Sequence, residues 1–383
     1  MAGIRDVARA AGVSVSTVSQ VLNNPEFGKP QTRQRVFAAA EKLNYRPNAI
    51  ARSLVRQRAD TLGLVIPDLL NPVFPTVADA VERTARAAGY SLVLGTTSRE
   101  PAAERQYRQL FMQNKADGVI FFAALDESNI QALLRRHVPV VLIERPMSVP
   151  GVDLVGVDNR LGGYLATRHL LEQVAATAAA SPAQPLQAQS PPVAMIVGPL
   201  GGEVEQQRLA GYQRALLEAG LSGGADGKSL VVEAWDHVEE AGRQAMAELL
   251  YRLRQRGRLG HTRPEGQGQV VPLGQLHSSP PLAGVFVASD ILAVGALRQL
   301  EAEGIRVPDD VLIVGFDNTL SRYTSPPLST VAQPFVRMGE TAVHLLLERI
   351  SDPGRPPSQV LLEPALIIRQ SSQPSTIWPT SKP

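Results

Sequence analysis

Between Ser14 and Asn23 the chain reads SVSTVSQVLN. Val18, Val21 and Leu22 recur at helical spacing and predict one buried face. The opposite face carries Ser16, Thr17, Ser19, Gln20 and Asn23, which are short, polar and uncharged. Hydroxyls and carboxamides donate and accept, the chemistry that reads base-pair edges in a DNA major groove. Ser16, Thr17 and Gln20, with Val15 beside them, are the candidate base readers. Glutamine pairs bidentately with adenine, which gives Gln20 a definite preference.

Little else in the sequence competes for chemistry. There is no cysteine, which removes disulfides, thiolate nucleophiles and cysteine metal sites. No pair among the six histidines has close metal-ligand spacing. The segment GPLGG (198–202) lacks the Lys-Ser/Thr of a P-loop and the full dinucleotide spacing. Glu144 and Asp317 could pair for glycoside hydrolysis, but no independent feature marks an acid, base or nucleophile. The expectation is a binding protein rather than an enzyme, with no cofactor and no metal.

The elements that must position the reading face are legible around it. Ile4, Val7, Ala8 and Ala11 predict a first short helix. Gly12 interrupts it, where a left-handed turn costs glycine nothing. Ser14 is placed to cap the next helix. Two helices joined by such a turn form a helix-turn-helix. A third helix is predicted over 31–43, with Val36, Ala39, Ala40 and Leu43 inward. Pro47 ends that run, and Asn48 can cap a short segment, 49–54, too short to be a stable helix alone in water. Residues 1–60 hold ten Lys and Arg against four acids, a balance of +6, so the rest carries −4 of the overall +2. A basic head on a mildly acidic body fits a phosphate-bearing partner.

After Asp60 the pattern changes to strands alternating with helices: TLGLVIPD, YSLVLGTT, DGVIFFAA, PVVLIERP and DLVGVDN, then VAMIVG, SLVVEAW, LAGVFVAS, DVLIVGFD and VLLEPALIIRQ. Continuous apolar strands separated by helices predict parallel sheets covered on both faces. No apolar run reaches membrane-span length and no secretory leader precedes the first helix, so a cytoplasmic protein is expected. Two stretches stand out as insertions, Ala175–Pro192 and Arg256–Pro281; both read as solvated surface loops. The Ser/Pro-rich end, 371–383, reads as a flexible tail without heptads.

The segments IRDVARAAGVSVSTVSQVLN, TRQRVFAAAEKLNYRPN and AIARSL resemble the signature of LacI-type transcriptional regulators. The resemblance implies an all-α helix-turn-helix head (2–58) with a hinge helix (49–54). It implies an α/β body (60–370) of two parallel-sheet subdomains similar to periplasmic sugar-binding proteins. Crossovers between the subdomains are expected near 159–161, 288–291 and 330–335. It further implies a homodimer on double-stranded, pseudo-palindromic operator DNA in the bacterial cytoplasm. Ser14, Ser19, Thr32, Tyr45 and Asn48 would position phosphates, and Leu54 would wedge into the minor groove.

In such a body a ligand sits beyond the carboxyl ends of the strands. The residues placed there are Asn71, Phe74, Glu144, Arg145, Arg208, Trp235, His237, Ser289, Asp317 and Gln333, of which Arg208, Asp317 and Gln333 carry over best from the family. Carboxylates and amides accept from hydroxyls, arginine donates a planar fork, and aromatics cover a ring face, so a sugar is the expected effector. A nucleoside or purine base is the second ligand class. Asp290 is read as the cap of the helix after VFVAS rather than as a ligand group. The reading is a repressor released from its operator by a small sugar. The alternatives are a corepressor-dependent regulator, an activator, or a sugar-binding protein without DNA-regulated function.

Overall fold

The computed structural model describes residues 2–24, 26–45, 59–144, 149–180, 193–221, 230–255 and 283–373. The head is three helices, α1 (Ile4–Ala11), α2 (Val15–Asn23) and α3 (Pro30–Lys42). Proline at the first position of α3 loses no hydrogen bond and is already bent for a helix. The turn after α1 is made by Gly12 at φ 63°, ψ 39°. Ser14 Oγ accepts from Thr17 N at 3.1 Å and caps α2. Val7, Ala8, Ala11, Val18, Val21, Val36, Ala39 and Ala40 form one small core. Arg35 on α3 reaches back to the carbonyls of Ala11 and Gly12 and ties the turn to the third helix.

The body is two six-stranded sheets. The first holds β1 (Thr61–Ile66), β2 (Ser91–Thr96), β3 (Gly118–Phe122), β4 (Val140–Ile143), β5 (Asp153–Val157) and β11 (Gln359–Leu362). Its order is β11-β5-β4-β3-β1-β2, all parallel. The second holds β6 (Val193–Val197), β7 (Val231–Glu233), β8 (Gly284–Val287), β9 (Leu312–Asp317), β10 (Ser329–Ala332) and β12 (Ala365–Ile367). Its order is β12-β10-β9-β8-β6-β7, with only β12 antiparallel to its neighbour. The helices are α4 (Val73–Ala87), α5 (Pro101–Gln113), α6 (Glu127–Leu134) and α11 (Phe335–Ser351) on the first lobe. On the second they are α7 (Asn159–Ala180), α8 (Glu203–Glu218), α9 (Glu239–Gln255) and α10 (Asp290–Ala302).

The chain changes lobe after β5, after β10 and between β11 and β12. The first and second crossings fall near 159–161 and 330–335. The expected crossing at 288–291 is corrected: β8 and α10 belong to the same lobe. The third crossing is at 363–364. VLLEPALII reads as one strand, but Pro364 has no N–H to continue a ladder, and the run divides between the two sheets there. Two further corrections concern the loops. Ala175–Ala180 continues α7, because alanine is the strongest helix former; the rest of that insertion, like Arg256–Pro281, lies outside the described residues. The tail begins later than 371. Ser371 and Ser372 are buried, and Ser371 Oγ donates to the carbonyl of Ile313 at 2.7 Å.

The helix pairs of the second lobe touch backbone to backbone. A methyl built on Gly163 would overlap the carbonyl of Arg208, and one on Gly211 the carbonyl of Arg160. Gly242 and Gly295 do the same for α9 and α10. This close approach sets where α8 begins, and α8 carries Arg208.

Candidate DNA-reading head and inter-lobe ligand site

On α2, Val15, Ser16 and Gln20 are exposed, and Thr17 and Ser19 are half-buried. Ser14 Oγ lies 2.7 Å from Ser16 Oγ and 2.8 Å from Thr17 Oγ1, so the cap and two candidate readers form one hydroxyl cluster. Asn23 is the last residue of α2. Thr32 opens α3, and Tyr45 packs against the head core. Asn48, Leu54 and the hinge segment 49–54 lie outside the described residues. The head's basic charge is partly structural. Arg33 donates to the carbonyls of Glu26 at 3.2 Å and Gly28 at 3.0 Å, and Arg35 holds the turn.

Between the lobes, Arg208 is the hub. It is 5% exposed. Its Nε donates to Asn159 Oδ1 at 2.8 Å and its Nη1 to the carbonyl of Ala288 at 2.6 Å. Its guanidinium lies 3.8 Å over the Phe316 ring, a favourable cation–π stack that also fixes the plane of the fork. Asn159 turns its amide to Glu144, donating from Nδ2 to Oε2 at 3.2 Å. Glu144 is buried, and its Oε1 has no partner. Burial pushes its carboxyl up to about 7, against the pull of Arg208.

Asp317 ends β9 and accepts from Gln333 Nε2 at 2.7 Å. Burial raises Asp317 to about 8, with Arg208 lowering it and Asp290 raising it further. Gln333 Oε1 is buried and without a partner. Beside Asp317 and Gln333 opens a cavity of about 440 Å³ between the start of α4, the loop 317–323 and the start of α11.

The other expected residues have different places. Phe74 is 7% exposed and packs edge-on against Phe122 at 5.1 Å within the first lobe, so it is a core ring and not an open platform. Asn71 Oδ1 accepts from Val73 N at 3.1 Å and shapes the start of α4. Trp235 is 60% exposed and gives its indole N–H to Gln244 at 3.2 Å. His237 faces Glu205, with Nε2 to Oε1 at 3.1 Å. Ser289 and Asp290 exchange roles: the hydroxyl of Ser289 caps α10, not the carboxylate of Asp290. Asp290 instead accepts from the amides of Thr319, Leu320 and Ser321 and from Thr330 Oγ1, and so holds the loop that follows Asp317. Arg145 lies outside the described residues. Asn159 and Phe316 were not foreseen. Asn159 directly follows the DLVGVD run, and its position at a strand end was the available signal.

No helix among the described residues is long and apolar enough to cross a membrane, and no group of three potential metal ligands occurs among them. Residues 3–48 match the family model for bacterial regulatory proteins of the lacI family. Residues 59–253 match that for periplasmic binding proteins and the sugar-binding domain of the LacI family, and 186–372 a periplasmic binding protein-like domain. A ribose operon repressor of Halalkalibacterium halodurans is 32% identical over 97% of this chain and 98% of its own. The solved complex of the transcriptional regulator CelR with cellobiose is 30% identical, covers 97% of this chain and 100% of its own, and has a TM-score of 0.65. The lac repressor dimer bound to operator and an anti-inducer shares the fold, at a TM-score of 0.75, 24% identity and coverage of 97% of this chain and 99% of its own. With a turn-linked pair of head helices ahead of two such lobes, the chain belongs to the LacI family of bacterial regulatory proteins and is a DNA-binding transcriptional regulator rather than an enzyme.

Proposed function

We propose that this chain is a cytoplasmic, homodimeric repressor. Its α2 helices read two half-sites of a pseudo-palindromic operator, and a small sugar between its lobes releases it. The observation that carries the ligand reading is the pair of buried, unpartnered acceptors, Glu144 Oε1 and Gln333 Oε1. A buried polar atom left unpaired costs about 1–3 kcal/mol. Ligand hydroxyls would donate to both, and Arg208, already locked by Asn159, Ala288 and Phe316, would present the rest of its fork. The similarity to a ribose operon repressor and to a cellobiose-bound regulator supports a sugar.

The same geometry supports an allosteric mechanism. Glu144 follows β4 of the first lobe and Asp317 ends β9 of the second, so one ligand touching both favours one lobe arrangement over another. The hinge segment follows the head and precedes β1, so a change of lobe angle in a dimer alters the spacing of the two hinges. Coupling of this kind is reciprocal: operator weakens the inducer by the factor by which inducer weakens operator.

The test is selection of operator fragments from genomic DNA by the full chain, repeated with a panel of sugars and nucleosides and with the variant Arg208→Ala. The expected outcome is a palindrome released by one sugar. Arg208→Ala should bind the palindrome as the parent does but need at least about 100-fold more ligand, since a hydrogen-bonded charge is lost from a buried site. Recovery of DNA only with a compound present would make the protein corepressor-dependent. Release by the sugar at unchanged concentration in Arg208→Ala would remove the cleft from the mechanism.

A further inference from the structure

The chain enters the first lobe through Ala59, Asp60 and Thr61, and a side chain from another strand holds this entry. Asp117, the residue before β3, accepts from Ala59 N at Oδ1, 3.3 Å, and from Thr61 N at Oδ2, 3.1 Å. Its own N–H donates to the carbonyl of Thr61 at 2.9 Å. Thr61 Oγ1 donates back to the carbonyl of Ala59 at 3.1 Å, and on the β2 side Ser91 N donates to the carbonyl of Asp60 at 2.8 Å. Between the two clamped amides Asp60 stands at φ 49°. That left-handed conformation has a steric cost for any side chain and persists where its surroundings fix it.

Resting on the effector-released repressor reading above, we propose that Asp117 is a positioning residue for operator control: its carboxylate fixes the point and direction at which the hinge segment leaves the first lobe, so that lobe movement reaches the hinge instead of being absorbed in the linker.

The physical reason is that a joint transmits a displacement only as far as it is stiff. A segment as short as 49–54 does not hold a helix by itself in water, so its pairing with the hinge of a second copy depends on where both are delivered. The bonds that deliver it are of the stronger kind, a carboxylate accepting from backbone N–H groups. The clamp is also tied towards the cleft. Gly118 follows Asp117, and a methyl built on it would lie 2.7 Å from Leu346 Cδ1, on a fully buried residue of α11. α11 begins at Phe335, just after Gln333 and the second crossing, and runs to Ser351. A shift of α11 with the lobe angle therefore presses on the entrance of β3, where close packing leaves no gap to absorb it. With Asp117 in place that displacement passes to Ala59 and Thr61; without it, slack in the linker takes it up.

The experiment compares the full-length parent with Asp117→Ala and Asp117→Asn. Affinity for the palindrome selected by the parent is measured alone and with ribose, glucose, fructose, cellobiose or adenosine. The compound that changes operator binding by the parent is then titrated in the absence of DNA. Hydrogen exchange of the peptide spanning 59–61 reports on the clamp itself. In Asp117→Ala we expect exchange of that peptide to quicken at least about tenfold and the compound to bind within about twofold of the parent, while the factor by which it changes operator affinity falls at least about fivefold. Asp117→Asn keeps one carbonyl acceptor and should lie between the two, and it carries the test if the alanine variant does not fold. A merely structural role would lower the melting temperature and both affinities but leave that factor unchanged, and this outcome would overturn the proposal while the repressor reading stands. Exchange at the parent rate in both variants would overturn it as well. If the parent selects no palindrome, or no compound changes its operator affinity, the effector-released repressor reading falls and this proposal with it.

Discussion

The head and the cleft solve recognition in opposite ways. In the head, the candidate reading groups stand on one nine-residue helix, with Val15, Ser16 and Gln20 open to solvent. In the cleft, Glu144, Arg208 and Asp317 are buried, and they come from strand ends and helices far apart in the chain. The difference follows from the size of the partner. A duplex covers the exposed face of a helix, so polar groups on that face can wait in water at no cost. A small molecule cannot do that, and the protein must exclude water itself. Polar groups held in a dry site must satisfy one another or keep a place for the ligand. The chain Glu144–Asn159–Arg208 does the first, and under the proposed function the two unpartnered oxygens do the second.

If this contrast is right, a packing change remote from any ligand should disable the cleft. Gly163→Ala puts a methyl into the carbonyl of Arg208. We expect a loss of roughly 2–3 kcal/mol of body stability from overpacking and no measurable effector binding, with helical content in the head retained. Parent-like titration of this variant would show that Arg208 is not positioned by the contact between α7 and α8.

The buried carboxyls should make the body pH-sensitive. Glu144 is held near 7 and Asp317 near 8, both above their ordinary values, so the folded body binds protons more tightly than the unfolded chain. The associated stability is present below about pH 4 and is lost as pH rises through 7 to 8. Thermal unfolding of the ligand-free protein should therefore show stability falling between pH 5 and 8.5, by on the order of 3 kcal/mol from Glu144 alone. Glu144→Gln should flatten that slope over pH 5–7; an equally steep fall in the variant would assign the titration elsewhere.

In the head the prediction runs the other way: a side chain can change without structural cost. Gln20→Arg should move the selected base from adenine towards guanine, a discrimination of about 1–3 kcal/mol. The melting of the chain should be unaltered, because Gln20 is exposed. An unchanged selected motif would remove Gln20 from base reading.

The smallest effect belongs to a pair that joins the lobes. Arg99, after β2, and Asp236, after β7, form an ion pair across the cleft. β2 and β7 are the edge strands farthest from the crossings near β5, β10, β11 and β12, so the pair has the longest lever on lobe closure. Both side chains are about one-third exposed. Arg99→Ala should cost less than about 1 kcal/mol and shift effector affinity only a few-fold. A larger change would show that the closed arrangement depends on that contact.

Much of this protein could be read before its coordinates. The head was legible because helix periodicity, a turn glycine and a capping serine are local signals. The alternation of apolar strands and helices announced parallel sheets covered by helices for the same reason, and the resemblance implied their division into two lobes. Arg208, Asp317 and Gln333 were proposed through family resemblance, not through spacing. The sequence by itself thus determined which elements form and which helix face is polar and open. Only the tertiary structure decided that Phe74 turns into a core, that Ser289 caps while Asp290 braces a loop, and that VLLEPALII is shared by two sheets. Only it brought Asn159 between Glu144 and Arg208. The physical reason is range: caps, turns and periodicity act within a few residues, whereas burial, partner choice and the cost of an unpaired group depend on which distant segments the packed lobes bring together.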